Sequence, residues 1–142
     1  MSFLRVLLAC AAALAVFGGA ADAKSPRRYG MLVYSDLCYD PPSDDIGGTR
    51  ITLLRFHDGD KILYENTEGA VNWPVFASSA KIDAKSGALT FELRTNEETL
   101  VFNGKFDDGV LTGTLSGRKD PITLDRVRNV GRDMPKCKFD NP

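Results

Sequence analysis

His57 is the only histidine in the 142 residues of this chain, and it stands beside the turn signal Asp58-Gly59. An imidazole there could serve as the general base of a small hydrolase. That chemistry also needs a nucleophile and an orienting carboxylate within hydrogen-bonding reach. A lone histidine at a hairpin end is more commonly a solvated turn residue. Glu97 and Glu98 supply two carboxylates, but a glycosidase pair sits on rigid elements about 5 to 9 Å apart across a groove. Neighbours in an extended chain point in opposite directions. Aspartates cluster at Asp40, Asp44 and Asp45, at Asp58 and Asp60, and at Asp107 and Asp108. Carboxylate oxygens of this kind could hold calcium, yet none of the clusters follows the spacing of a calcium-binding loop. Aspartate is in any case frequent in turns, where its side chain caps backbone amides. Zinc requires three or four cysteine, histidine or carboxylate ligands, and too few soft ligands remain once the thiols are paired. The expectation is therefore no catalytic residue, no metal ligand and no cofactor.

The three cysteines, Cys10, Cys38 and Cys137, divide by position. Cys10 lies in an N-terminal segment with the form of a secretory signal: Arg5, an apolar run from Val6 to Phe17, Gly18-Gly19, and the small-x-small site Ala21-Asp22-Ala23. The run is too short to span a bilayer, which takes roughly 20 residues. Leu7-Leu8-Ala9-Cys10 has the look of a lipobox, but the apolar run continues past Cys10, so cleavage after Ala23 is expected. Residues 1–23 are then a signal peptide, and residues 24–142 a single domain of the periplasm or the medium. The export route is oxidising, and Cys38 and Cys137 are expected to form one disulfide. The loop it closes holds about 100 residues, for which chain entropy gives up to about 4.7 kcal/mol.

Stepping from Tyr29 onward, the apolar residues recur with period two, the pattern of half-buried strands. Ala88 to Arg94 is the clearest case, with Leu89, Phe91 and Leu93 alternating against Thr90 and Glu92. Thr99 to Phe106, Val110 to Ser116 and Ile122 to Leu124 follow the same scheme. Tyr29 to Ser35, Arg50 to Phe56, Lys61 to Glu65 and Val75 to Asp83 are also strand-like. Their alternation is less clean, because Leu54, Phe56 and Leu63 fall opposite Ile51, Leu53 and Ile62. Asp58-Gly59, Ser86-Gly87 and Asp108-Gly109 are short glycine-bearing turns suited to antiparallel neighbours. The expected architecture is all-β: a small antiparallel up-and-down barrel or strongly curled meander of about eight strands. Asp36 to Gly48 is expected to be a loop, and Val127 to Pro142 a polar tail.

The run Phe102-Asn103-Gly104-Lys105-Phe106-Asp107-Asp108-Gly109-Val110-Leu111-Thr112-Gly113-Thr114-Leu115-Ser116-Gly117 resembles the strand-turn-strand repeat of lipocalin-like β-barrel domains exported by bacteria. That resemblance implies a small barrel able to take a ligand. The chain departs from lipocalins in having no Gly-x-Trp motif, since Val71 precedes Trp73 at that spacing. The size and the cysteine positions are also similar to those of small periplasmic lysozyme inhibitors. The nearest counterpart of their Ser-Gly-x-x-Tyr loop, Ser86-Gly87-Ala88-Leu89-Thr90, lacks the tyrosine.

Two further features bear on binding. The expected inner face mixes small positions (Ser78, Ala80, Gly104, Gly113) with large ones (Phe76, Phe91, Phe102, Phe106), which suits either a filled interior or a ligand cavity. The basic residues Arg126, Arg128, Arg132, Lys136 and Lys138 would be drawn by the disulfide towards Lys24, Arg27 and Arg28, with Asp36, Asp40, Asp44 and Asp45 nearby. The net charge of −1 lacks the basic excess of a nucleic-acid binder. The sequence thus implies an exported, non-enzymatic domain that binds a small ligand or an envelope protein. A periplasmic inhibitor or interaction module using the loops 36–48 and 65–74, with Trp73 as an anchor, is one alternative. A small hydrolase using His57 is the other. No nucleic acid and no transmembrane segment in the mature chain are expected.

Overall fold

The computed structural model describes residues 30–69, 74–128 and 134–138. Within them the period-two segments form ten strands and no helix: β1 (Gly30–Ser35), β2 (Cys38–Asp40), β3 (Asp45–Arg55), β4 (Asp60–Glu68), β5 (Val75–Phe76), β6 (Ser79–Ile82), β7 (Ala88–Arg94), β8 (Thr99–Asp107), β9 (Val110–Leu115) and β10 (Ile122–Val127). All are joined in one sheet, in the order β5-β4-β3-β1-β10-β9-β8-β7-β6, with β2 paired to the start of β3. Every strand pair is antiparallel. The first strand lies beside the last, so the sheet curls round into a barrel-like form.

The turns behave as their residues dictate. Asp107 faces Val110 across a two-residue loop in which Asp108 (φ 41°) and Gly109 (φ 87°) both have positive φ. That geometry matches the right-handed twist of the flanking strands, and Asp-Gly is among the pairs that tolerate it best.

The two outermost strands, β5 and β6, are consecutive in the chain, and the residues between them join the two ends of the sheet. Ala77 N–H donates to the Ile62 carbonyl on β4 (2.9 Å), and Ser78 N–H donates to the Glu92 carbonyl on β7 (2.8 Å). Ser79 is also the partner of Glu92. Two residues therefore oppose one, a β-bulge that bends the strand and shifts its phase. This is why Val75 to Asp83, read in sequence as one strand, is two. Together β5 and β6 fill one place, leaving eight places around the curl, as the meander requires. The other added strand is β2, which arises inside the segment expected to be a loop and pairs Cys38 with Gly47.

The inward side chains form one core: Tyr34, Ile51, Leu53, Ile62, Tyr64, Leu89, Phe91, Leu93, Phe102, Leu111, Leu115, Ile122 and Leu124. At its centre Phe91 and Phe102 stack with ring centroids 4.7 Å apart and planes 15° apart. The Phe102 ring lies over Gly104 and Gly113. A Cβ on Gly113 would come 2.6 Å from the Asn103 carbonyl oxygen and closer still to that ring. Glycine is required at both places because the aromatic ring occupies the volume a side chain would need.

Candidate functional site

His57 is exposed on the turn between β3 and β4. Among the described residues no group of three or more histidine, cysteine or acidic side chains is arranged to hold a metal. The acidic clusters serve local structure instead. Asp60 pairs with Arg55, its carboxylate oxygens 3.2 and 3.3 Å from Nε and Nη2. Asp83 accepts from the Ser86 hydroxyl (2.7 Å) and the Lys85 amide (2.9 Å), which hold its carboxyl below the usual carboxylate range. Asp44 accepts from the Tyr39 hydroxyl, and that bond raises the phenol above its ordinary pKa. Glu97 and Glu98 are exposed in the β7–β8 turn, where the Thr95 hydroxyl accepts from both their amides.

The core packs around Phe91 and Phe102. At one end Arg118, from the β9–β10 loop, donates through Nη1 to Thr49 Oγ1 (3.2 Å) and Asn66 Oδ1 (3.4 Å). Thr49 is 2% exposed and donates in turn to Asn66 Oδ1 (2.9 Å). Asp36 clamps the Thr49 backbone from both sides, accepting its amide and donating to its carbonyl. Towards the other end Tyr34 lies against Phe106, centroids 5.1 Å apart. Burial raises the Tyr34 pKa, and the positive charge of Arg126 offsets part of that rise.

Cys38 and Cys137 stand at disulfide distance, with 4.7 Å between their Cα atoms. They hold the tail against the edge of β2: Tyr39 N–H donates to the Pro135 carbonyl (2.8 Å), and Cys137 N–H to the Tyr39 carbonyl (2.9 Å). A groove of about 420 Å³ runs alongside, lined by Asp40, Ser43, Gly47, Gly48 and both cysteines. The signal segment, the cations Lys24, Arg27, Arg28 and Arg132, and Trp73 lie outside the described residues, so the convergence of the basic tail on the N-terminus and the Trp73 anchor do too.

The outer face gives the molecule its asymmetry. On β7 to β10 the outward positions include Thr90, Asn103, Lys105, Thr112, Thr114 and Thr123, all exposed and polar. On β1, β3, β4 and β5 the outward positions include Met31, Leu54, Leu63 and Phe76, with Val33 and Thr52 buried among them, and Phe56 follows the end of β3. Phe76 is 60% exposed, Met31 54% and Phe56 45%. The Arg50–Glu65 pair, in bidentate contact, borders this face. The Lys61 ammonium lies 5.9 Å from the Phe56 ring centroid. A second groove, of about 560 Å³, opens beside these rings between β4 and β6, with Leu54, Phe56, Lys61, Phe76 and Ala80 in its lining.

Phe76 and Ser78 correct the sequence reading, which set both on the inner face. Val75 and Ala77 are the residues that pack on the core, while Phe76 points out and Ser78 is exposed. The bulge restores the expected phase only from Ala80 onward. The signal for this surface was present in the sequence as the broken alternation at Leu54, Phe56 and Leu63, which is where the apolar outer face lies. Compared with known proteins, the chain matches no family model, no curated protein and no solved structure.

Proposed function

We propose that the chain is an exported, non-enzymatic domain of the periplasm or the medium that works by binding a protein partner on the outer face of β1, β3, β4 and β5. What carries this reading is the exposure of Met31, Phe56 and Phe76 on the outer side of the sheet. Large apolar side chains exposed together on one face and rimmed by polar groups mark an interaction surface more often than a solvated one. Aromatic side chains also bring large contact area with little rotamer freedom to lose. Phe102, filling the space over Gly104 and Gly113, weighs against the small-ligand alternative. The leader pattern and the paired cysteines support export.

Photo-crosslinking in the cells that export the protein tests the reading. A benzophenone side chain in place of Phe76 is expected to give one discrete, higher-mass protein adduct, and the same group in place of Thr112 none. No adduct at Phe76, or the same adducts at both positions, overturns it.

A further inference from the structure

The core is packed around two stacked rings, but the wall beside it opens at one place. The chain follows β4 only as far as Ala77, whose N–H donates to the Ile62 carbonyl. Ser78 N–H already donates to the Glu92 carbonyl on β7, so from Ser78 onward the chain leaves β4. In an unbroken strand Ser78 would face Lys61, because Phe76 faces Leu63. Instead a groove of about 560 Å³ lies between β4 and β6. Ala77-Ser78-Ser79-Ala80 puts four small side chains in a row along it, and their size leaves the groove its volume. Ala80 is exposed although its register partner Phe91 is fully buried, which locates the opening in the wall itself.

The charges in the lining do not cancel. Asp60 is held by Arg55, its oxygens 3.2 and 3.3 Å from the guanidinium nitrogens. Lys61 is in no ion pair among the described residues, and its ammonium lies 5.9 Å from the Phe56 ring centroid. Asp83 N–H donates to the Ala88 carbonyl, which sets the alternation along β6. Ser79 and Lys81 turn their main-chain groups towards β7, so Ala80 turns its N–H to the groove side. Glu92, the register partner of Ser79, stands across β6 outside the lining, with Lys81 diagonal to it on the same outer face. The groove thus presents a free cation and a main-chain donor beside two exposed phenyl rings, Phe56 and Phe76.

We infer that this groove is a binding site for a small carboxylate carried on an apolar, ring-bearing body. The carboxylate meets the Lys61 ammonium and the Ala80 N–H, and charge-assisted bonds of that kind are the strong ones. The body lies against Leu54, Phe56 and Phe76, where a ring packs edge-on or offset against the phenyl groups. Such a molecule carries its charge at one end, so its head and its body both reach the same side of the sheet. The volume lies within the range of about 300 to 1,000 Å³ usual for small-molecule sites. The site goes beyond the protein-binding reading above and does not rest on it.

The probe is phenylbutyrate, titrated into the full exported chain while backbone amide signals are followed by NMR. The signals of Lys61 and of Ala77 to Ala80 are expected to move together, and those of Thr112 and Thr114 to stay. Phenylbutanol keeps the body and loses the charge, and is expected to bind about tenfold more weakly. Butyrate keeps the charge and loses the ring, and is expected to weaken by at least as much. Lys61→Met keeps the stem of an exposed side chain and removes its ammonium. It is expected to fold as the parent does, to weaken phenylbutyrate about fivefold and to leave phenylbutanol unchanged. Ala80→Leu fills the floor of the groove and is expected to weaken acid and alcohol alike. Unmoved signals at about 1 mM phenylbutyrate overturn the site. So does equal affinity for acid and alcohol, or a Lys61→Met chain that binds phenylbutyrate as the parent does.

Discussion

Phe102 and Phe76 are the same residue type on the same curled sheet, and they have opposite fates. Phe102 is fully buried, stacked on Phe91 and seated over two glycines. Phe76 is 60% exposed on a strand of two residues. The contrast extends to the halves they belong to. From β7 to β10 the outward positions are mostly threonine, asparagine, lysine and other polar residues, with Val101, Val110 and Val127 among them, as a sheet largely solvated on one face should have. From β1 to β5 the inner face is just as apolar, and the outer face mixes Met31, Val33, Leu54, Leu63 and Phe76 with Arg50, Thr52, Lys61 and Glu65. The same fold thus sets a mostly polar outer face beside one that exposes Met31, Phe56 and Phe76.

The largest effect expected from this contrast is on stability. Phe102→Ala should cost about 3 to 5 kcal/mol, because it removes a buried ring and leaves a cavity over Gly104 and Gly113. Urea unfolding measures it. Gly113→Ala acts on the same place from the other side, placing a methyl where the ring and the Asn103 carbonyl already sit. Overpacking of that kind costs about 1 to 3 kcal/mol. If either variant unfolds at the same urea concentration as the parent, the interior is looser than the stacked rings indicate.

The cysteine pair tests the comparison at the edges. Its partners are separated by 99 residues, and the tail it anchors is what covers β2. Cys38→Ser with Cys137→Ser should lower stability by about 2 to 5 kcal/mol. It should also speed exchange of the Tyr39 and Cys137-position amides, which donate to or across the tail. Equal exchange with and without the bridge would mean that the tail holds by its own hydrogen bonds. A smaller loss, about 1 kcal/mol, is expected for Arg118→Ala, which takes away two donors from Thr49 and Asn66 at the barrel end.

Which parts of this were legible in the sequence follows from how local each cause is. The strands of the polar half were readable because every residue from Ala88 to Arg94 obeys one period, and because Asp108-Gly109 fixes its hairpin without outside help. The bulge was not. Ser78-Ser79 carries no glycine, proline, asparagine or aspartate, and the phase slips where Ala77 N–H turns to β4 and Ser78 N–H to β7. β2 was missed because Pro41-Pro42 and Gly47-Gly48 signal a loop, whereas Gly47 and Gly48 belong to β3. Gly47 faces the Cys137 sulfur, and Gly48 (φ 110°) lets the chain pass close to Asp36. Those reasons come from residues distant in sequence. The outer apolar face was visible as Leu54, Phe56 and Leu63 standing out of phase. Poor patterning and a second buried surface look alike until the strands are placed side by side.

The smallest expected effect is the one that separates the two halves most sharply. Phe76→Ser removes a ring that touches solvent over most of its area, so the folded chain loses little by it. The change in unfolding free energy should stay within about 0.5 kcal/mol, the usual range for surface substitutions. A patch that existed to support the fold would give a different answer: Phe76→Ser would then destabilise in proportion to the area it buries against Leu63, its register partner. The same substitution in the polar half, Thr112→Ser, should be equally silent in unfolding. Only an assay of association divides them, because a partner that covers the outer face loses an aromatic contact in one variant and nothing in the other. Were Phe76→Ser to match Thr112→Ser in association as well as in stability, the asymmetry between the halves would carry no function. The exposed rings would then be surface that folding left uncovered.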